Sequence, residues 1–304
     1  MTRATGCAVV ALAAACAPLA AQRESGDPAR EGGGPGRWAA EVWLAAAYDS
    51  NILNRADAPG AWGVEPGLSV GYQPSPGLGL EYQARGHAWT ETDRWDRLSQ
   101  SLRAEWDARR RGRWNAVLLA QAATQVVTAE YQKADQLTVR PMVEFRASDD
   151  DRLRLYAAYR RRRYHDADHT GAHNGYLWLQ YRRRLAPYHF GYLSVRREEN
   201  RAELERRDLG RTAVFAQYSG RVSPADRVNA RLEYRDERYG SRTDVVDGAA
   251  VRRYERRWIP SVGWTHQIGR AALEVDYRYQ TRASTLPARE FTEHLTAVTL
   301  RYRL

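Results

Sequence analysis

From Arg37 onward the chain alternates between apolar and polar residues with a period of two. In residues 78–89 (LGLEYQARGHAW), Leu78, Leu80, Tyr82 and Ala84 share one face, while Glu81, Gln83, Arg85 and His87 share the other. Residues 98–109 set Leu98, Leu102, Ala104 and Trp106 against Ser101, Arg103, Glu105 and Asp107. Residues 227–236 and 271–280 repeat the pattern, with Val228, Ala230, Leu232 and Tyr234 in the first and Leu273, Val275, Tyr277 and Tyr279 in the second. This is the period of a β-strand, whose successive side chains point to opposite sides. Fourteen such segments can be drawn, near 37–49, 63–73, 78–89, 98–109, 114–125, 136–147, 152–163, 175–185, 188–197, 211–222, 227–237, 253–266, 271–280 and 292–304. Turn-forming stretches such as Pro74-Ser75-Pro76-Gly77 and Ser223-Pro224-Ala225-Asp226 join alternate pairs. Longer polar loops join the others: 50–62, 90–97, 126–135, 164–174, 198–210, 238–252 and 281–291. Short turns at one end and long loops at the other predict an all-β fold, a transmembrane antiparallel up-and-down β-barrel of about 14 strands over residues 37–304, with both termini at the short-turn end. A soluble β-sandwich also alternates, but needs neither a uniformly charged polar face nor two classes of turn. Pro66, Pro141 and Pro260 fall inside predicted strands. Proline cannot donate to a ladder and a barrel has no edge, so these positions predict bulges or misdrawn strands.

The N-terminus has a different pattern. A short basic start, Met1-Thr2-Arg3, precedes an apolar run from Cys7 to Ala21 and then polar Gln22-Arg23-Glu24. This predicts a signal peptide at 1–21, with lipidation at Cys16 as the alternative. The Gly- and Pro-rich segment 22–36 predicts a flexible periplasmic leader. After Ala21 no stretch approaches eighteen apolar residues, which excludes a helical membrane span. Both cysteines, Cys7 and Cys16, lie in the predicted signal peptide, so the mature chain is expected to hold no disulfide and no thiol chemistry.

Composition sharpens this. The 304 residues carry 47 Lys+Arg against 37 Asp+Glu, a formal charge of +10, and Lys133 is the single lysine. Such a charge would suit nucleic acid, but export argues against that partner. There are 18 Tyr and 10 Trp against 4 Phe, a bias towards rings that suit a lipid–water boundary. Tyr48, Tyr72, Trp106, Trp258, Tyr277 and Tyr302 are expected to form aromatic girdles, with Trp89, Trp114, Tyr234 and Tyr279 beside them. The mean hydropathy of −0.69 fits a wall in which every second residue meets lipid.

With the apolar set facing lipid, the polar set faces the lumen. The expected lining is Glu81, Arg85, Arg103, Glu105, Arg140, Glu144, Arg154, Arg231, Glu233, Arg235, Glu274, Asp276, Arg278 and Arg301. An arginine facing mid-bilayer lipid would cost about 2–4 kcal/mol. A barrel of this size leaves room for a narrow aqueous pore, and an arginine excess in its lining favours anions. The competing expectation is that Arg103/Glu105 and Arg231/Glu233/Arg235 sit on adjacent strands and plug the lumen. Arg160–Arg163 ends a strand at the long-loop side, where lipid phosphates lie. Arg109–Arg111 with Arg113, and Arg182–Arg184, fall at the short-turn side. His165, His169 and His173, with Asp166 and Asp168, fall in one expected loop and could bind a metal or simply face water. Ser261 and His266 fall on opposite faces of a strand, and His87 and His294 have no evident serine partner. No P-loop or dinucleotide fingerprint is present. No enzyme, metal or cofactor is therefore expected.

The last residues, Thr296 to Leu304, place Val298, Leu300, Tyr302 and Leu304 on one face. This resembles the C-terminal strand of bacterial outer-membrane β-barrel proteins. The resemblance implies an assembly signal at Tyr302 and Leu304 read by the barrel assembly machinery, although that family usually ends in Phe or Trp. Tyr48-Asp49-Ser50-Asn51-Ile52 is similar to a stretch of several porin-like barrels, including the barrel domains of surface lipoprotein assembly modifiers. That narrower family usually carries helical repeats ahead of its barrel, where this chain has only the short leader. The resemblance implies a Gram-negative outer-membrane location, in contact with lipid including lipopolysaccharide. The expected function is passive passage of small, preferably anionic solutes through a monomeric, narrow porin-like channel. The alternatives are a non-conducting accessory or assembly barrel acting through a periplasmic or surface partner protein, and a barrel hydrolase.

Overall fold

The computed structural model describes residues 36–304 apart from 53–57, 92–95, 109–111, 129–132, 166–169 and 247–248. The predicted signal peptide, all but the last residue of the leader, Arg109–Arg111, Asp166, Asp168 and His169 lie outside the described residues. The strands are β1 (Arg37–Asp49), β2 (Ala61–Ser75), β3 (Leu78–Trp89), β4 (Arg97–Asp107), β5 (Trp114–Val127), β6 (Lys133–Arg146) and β7 (Asp151–Tyr164). They continue as β8 (Gly171–Ala186), β9 (His189–Ala202), β10 (Leu209–Arg221), β11 (Asp226–Val246), β12 (Ala249–Ile268), β13 (Ala271–Ser284) and β14 (Phe291–Arg303). Each pairs antiparallel with its sequence neighbours, and β14 pairs with β1 to close the barrel. The closing register runs from Glu41↔Arg303 to Asp49↔Leu295, and the Leu304 N–H donates to the Ala40 carbonyl at 3.0 Å. Closure removes every sheet edge.

Burial follows the period of two. In β14, Glu293, Leu295, Ala297 and Thr299 are buried, while His294, Thr296, Val298 and Leu300 are exposed. Leu44, Leu102, Leu137, Leu155, Leu177, Leu193 and Leu232 are likewise exposed on the outside. A closed barrel with apolar side chains turned outward and charged ones turned inward is built to sit in a bilayer. Tight turns close one end. Gly77 takes φ +94, and a Cβ there would lie 2.7 Å from the Asp107 carbonyl oxygen, so the turn between β2 and β3 requires glycine. The turns before β7 and β11 share one device. Ser148 and Ser223 accept from the backbone N–H of Asp151 and Asp226 and donate to the same residues' carboxylates.

All fourteen segments expected from the alternation are strands, but two expectations need correction. Pro66, Pro141 and Pro260 cause no bulge. Each side chain points outward and each interrupts pairing on one side only, towards β3, β7 and β13 respectively. On the other side Leu44↔Pro66, Leu118↔Pro141 and Leu232↔Pro260 keep the ladder continuous, and the interrupted register resumes without a shift. The missing N–H thus costs a local gap, and each strand continues through its proline. The second correction concerns 238–252, expected as a loop. β11 and β12 run through it as an arm of 21- and 20-residue strands, about twice what crosses a bilayer. Beyond the lipid band the outward residues no longer need to be apolar. Asp236, Arg238, Arg252 and Arg256 stand there, and the readable alternation ends before the ladder does.

Candidate channel interior

The inward face is set by strand parity. Every one of the fourteen residues expected in the lining falls on it. Glu144 receives Arg154 Nε at 2.6 Å. Glu233 is held between Arg231 and Arg235. Arg301 contacts Glu274 at 2.8 Å and Glu41 at 3.1 Å, and Arg278 bonds Glu293. Arg103 bonds Glu105 and faces Glu81 at 3.8 Å. Arg85 lies 3.9 Å from Glu65, and the Arg140 guanidinium lies over the Tyr156 ring. Asp276 lies between Glu274 and Arg278 on the same face.

Sequence reasoning missed the most deeply buried part. Glu198, Arg211, Glu237, Arg253, Glu255, Arg257 and Arg282 form a continuous belt across β9–β13. Arg211 bonds Glu237 at 2.6 Å and faces Glu198 at 3.5 Å. Arg257 joins Glu237 at 2.6 Å to Glu255 at 2.9 Å, and Glu255 also receives Arg253 at 2.6 Å and Arg282 at 3.4 Å. Glu237 and Glu255 are 0 % exposed. The signal was available, since extending the period of two from Glu233 reaches Glu237, and from Ser261 back to Arg257 and Arg253.

The pairing differs from the expected plug. β4 and β11 stand on opposite sides of the ring, so Arg103/Glu105 and Arg231/Glu233/Arg235 are not on adjacent strands. Instead each group pairs along its own strand. The belt pairs likewise join neighbours, β9 to β10, β10 to β11, β11 to β12 and β12 to β13, and so run along the wall. The opposite side carries small and charged side chains together. Ser69, Gly71 and Gly79 leave a cavity of about 520 Å³ at the short-turn end, where Glu41, Glu81, Arg103 and Glu105 stand. The long-loop end of this side holds an apolar cluster, Ala45, Ala47, Ile52, Ala61, Trp89, Leu295 and Ala297, beside the buried Asp49, Glu65 and His87. Trp89 is therefore an interior residue, and its placement among the girdle residues is corrected. It has the parity of Arg85 and His87, which turns it inward. Tyr48, Tyr72, Trp106, Trp258, Tyr277 and Tyr302 all point outward. Tyr72 stacks on Trp38 at 4.4 Å between ring centres, Tyr48 packs on Trp62 at 5.2 Å and Trp258 on Tyr234 at 4.9 Å.

The remaining candidates sort by face. The run Arg160–Arg163 is split, with Arg160 and Arg162 turned inward to Glu198 and Asn200 and Arg161 and Arg163 exposed outside. Arg182 lies inside over Phe190, while Arg183 and Arg184 are exposed and Arg184 pairs with Asp150 at 2.6 Å. His165 bonds Asp135 at 2.9 Å, and His173 belongs to β8 rather than to a loop. No cluster of metal-ligating side chains occurs among the described residues. Ser261 and His266 stand on opposite faces, as their spacing predicts. His87, by contrast, has a serine partner after all. Its Nε2 lies 3.4 Å from Ser99 Oγ and its Nδ1 lies 3.6 Å from Glu65 Oε2. The register explains it, because Arg85 pairs with Ser99 across β3–β4 and His87 is two residues further along.

The barrel is similar to solved outer-membrane proteins. An anion-selective porin from Comamonas acidovorans aligns over 88 % of this chain and 99 % of its own, with TM-score 0.53 and 10 % identity. A bacterial polysaccharide outer membrane secretin aligns over 87 % and 98 %, with TM-score 0.55 and 10 % identity. The outer membrane channel DcaP of Acinetobacter baumannii aligns over 88 % and 96 %, with TM-score 0.51 and 7 % identity. No protein-family model matches the sequence, and no curated protein matches it. The chain has the fold of a porin-like outer-membrane β-barrel.

Proposed function

We propose that this barrel is a narrow outer-membrane channel for passive passage of small solutes, with a preference for anions. The observation that carries this reading is the disposition of the interior charges. The pairs of the belt run along the wall at the long-loop end rather than across the lumen, and a cavity of about 520 Å³ opens at the short-turn end. The belt holds Arg211, Arg253, Arg257 and Arg282 against Glu198, Glu237 and Glu255. An arginine excess along the interior wall lowers the electrostatic barrier to an anion. The similar porin from Comamonas acidovorans is described as anion-selective, which supports the same preference here. The test is swelling of proteoliposomes in iso-osmotic solutes. Small anions should enter faster than cations of equal size, and liposomes that do not swell in either would contradict the reading.

A second reading is favoured by Ser99, His87 and Glu65. Inside the barrel they stand in the order nucleophile, base and orienting carboxylate, with separations somewhat longer than catalytic hydrogen bonds. A fluorophosphonate probe tests it by labelling a serine that a histidine activates. Labelling at Ser99, lost in His87→Gln, would establish hydrolytic capacity; an unlabelled folded barrel would remove this reading.

A further inference from the structure

The outer wall carries a second feature that conduction does not use. Register places Leu137 beside Arg161, Arg161 beside His173, and His173 beside Arg201. All four side chains are exposed and outward, and Arg163 is exposed one outward position further along β7. The basic groups therefore form a shelf across β7–β9 at the long-loop end. Directly beneath it, towards mid-barrel, Val139, Tyr159 and Leu177 are exposed outside. A groove of about 810 Å³ opens beside the shelf, with Tyr82, Leu102, Ala122 and Leu137 along it, Gln100 and Thr124 among them, and Arg161, Arg163 and His173 at its upper rim beside Asp135 and Glu203. The three carboxylates nearby are engaged, Glu203 by the Gly171 N–H, Asp135, the register partner of Arg163, by His165, and Glu199 by Arg197.

A guanidinium shelf above a groove with an apolar stretch of Leu102, Ala122 and Leu137 matches a molecule with phosphate at one end and acyl chains at the other. We propose that this face binds the phosphorylated glycolipid of the outer leaflet, its phosphates on Arg161, Arg163 and Arg201 and an acyl chain in the groove. The proposal rests on the reading of the chain as an outer-membrane protein with the long loops outside. Guanidinium pairs bidentately with phosphate. In the low-dielectric interface such contacts are screened less than in water. The alternation explains why the run of four arginines is not wasted on one task. Arg160 and Arg162 serve the interior, and Arg161 and Arg163 are left for lipid.

The test is native mass spectrometry of the purified full-length barrel in detergent, titrated with diphosphorylated lipid A, its dephosphorylated form, and phosphatidylglycerol. The wild type should retain the diphosphorylated form at least roughly tenfold more tightly than the dephosphorylated one, the loss expected for one charge-assisted hydrogen bond. Arg161→Gln with Arg163→Gln should abolish that difference, and Arg201→Gln alone should reduce it. Arg183→Gln with Arg184→Gln, at the short-turn end, should leave it unchanged. A heat-dependent gel shift retained by each variant shows that the barrel is folded. Undiminished binding by the folded double variant, or equal binding of phosphatidylglycerol, would overturn the proposal. Liposome swelling by the same variants should be unaffected, so failure here is distinguishable from failure of the channel reading.

Discussion

Glu255 is the point where the interior belt is most exposed to a single substitution. Its carboxylate receives Arg253 Nε at 2.6 Å, an Arg257 nitrogen at 2.9 Å and an Arg282 nitrogen at 3.4 Å, and it is 0 % exposed. Glu255→Gln keeps the shape and one acceptor oxygen, but turns a donating NH2 towards donors and leaves buried cationic charge uncompensated. Removing one partner of a buried pair costs about 3–5 kcal/mol. Arg257 retains Glu237 at 2.6 Å, so the lower end applies. The expected loss is about 3 kcal/mol, roughly a hundredfold in the folded-to-unfolded ratio. Reversible urea unfolding in detergent micelles, followed by tryptophan fluorescence and circular dichroism, measures it. The loss should change little between low and high salt, because buried pairs are screened less than exposed ones. A loss below about 1 kcal/mol, the range of a solvated pair, would refute the reasoning and mean that water fills the belt.

Three further outcomes follow from the geometry. Arg103→Glu with Arg231→Glu should lower anion preference in planar bilayers with the barrel still folded; unchanged selectivity would place those residues away from the solute path. Leu232→Arg, on the outer face of β11, should cost about 2–4 kcal/mol if that position meets mid-bilayer lipid, and a near-zero cost in vesicle refolding would move the band. Gly67→Ala should destabilise by about 1–3 kcal/mol, because its Cβ would fall 2.1 Å from the Trp43 ring. Trp43 must then move from its 2.8 Å hydrogen bond to Glu65, so an unperturbed indole signal would contradict that packing.

Much of the barrel was legible because lipid enforces the pattern. Wherever outward residues had to be apolar, the period of two showed through, and β1 and β3 begin and end where the alternation does. It failed where that constraint lapses. The β11–β12 arm rises beyond the lipid band, so Arg238 and Arg252 could face outward and the strand read as a loop. The interior is legible by parity but not by partner. Parity turned Arg103 and Arg231 inward, yet could not say that each pairs along its own strand. Ser99 and His87 are twelve residues apart, and only the β3–β4 register brings them together. The prolines show the reverse case, where a local rule predicted more disruption than a one-sided gap produces.

The most direct test of a narrow anion-preferring channel is the reversal potential of the purified barrel in a planar bilayer under a potassium chloride gradient. Discrete conductance steps whose reversal potential shifts towards the chloride equilibrium potential are the predicted result. A shift towards the potassium potential, or a folded barrel that inserts without conducting, would contradict it.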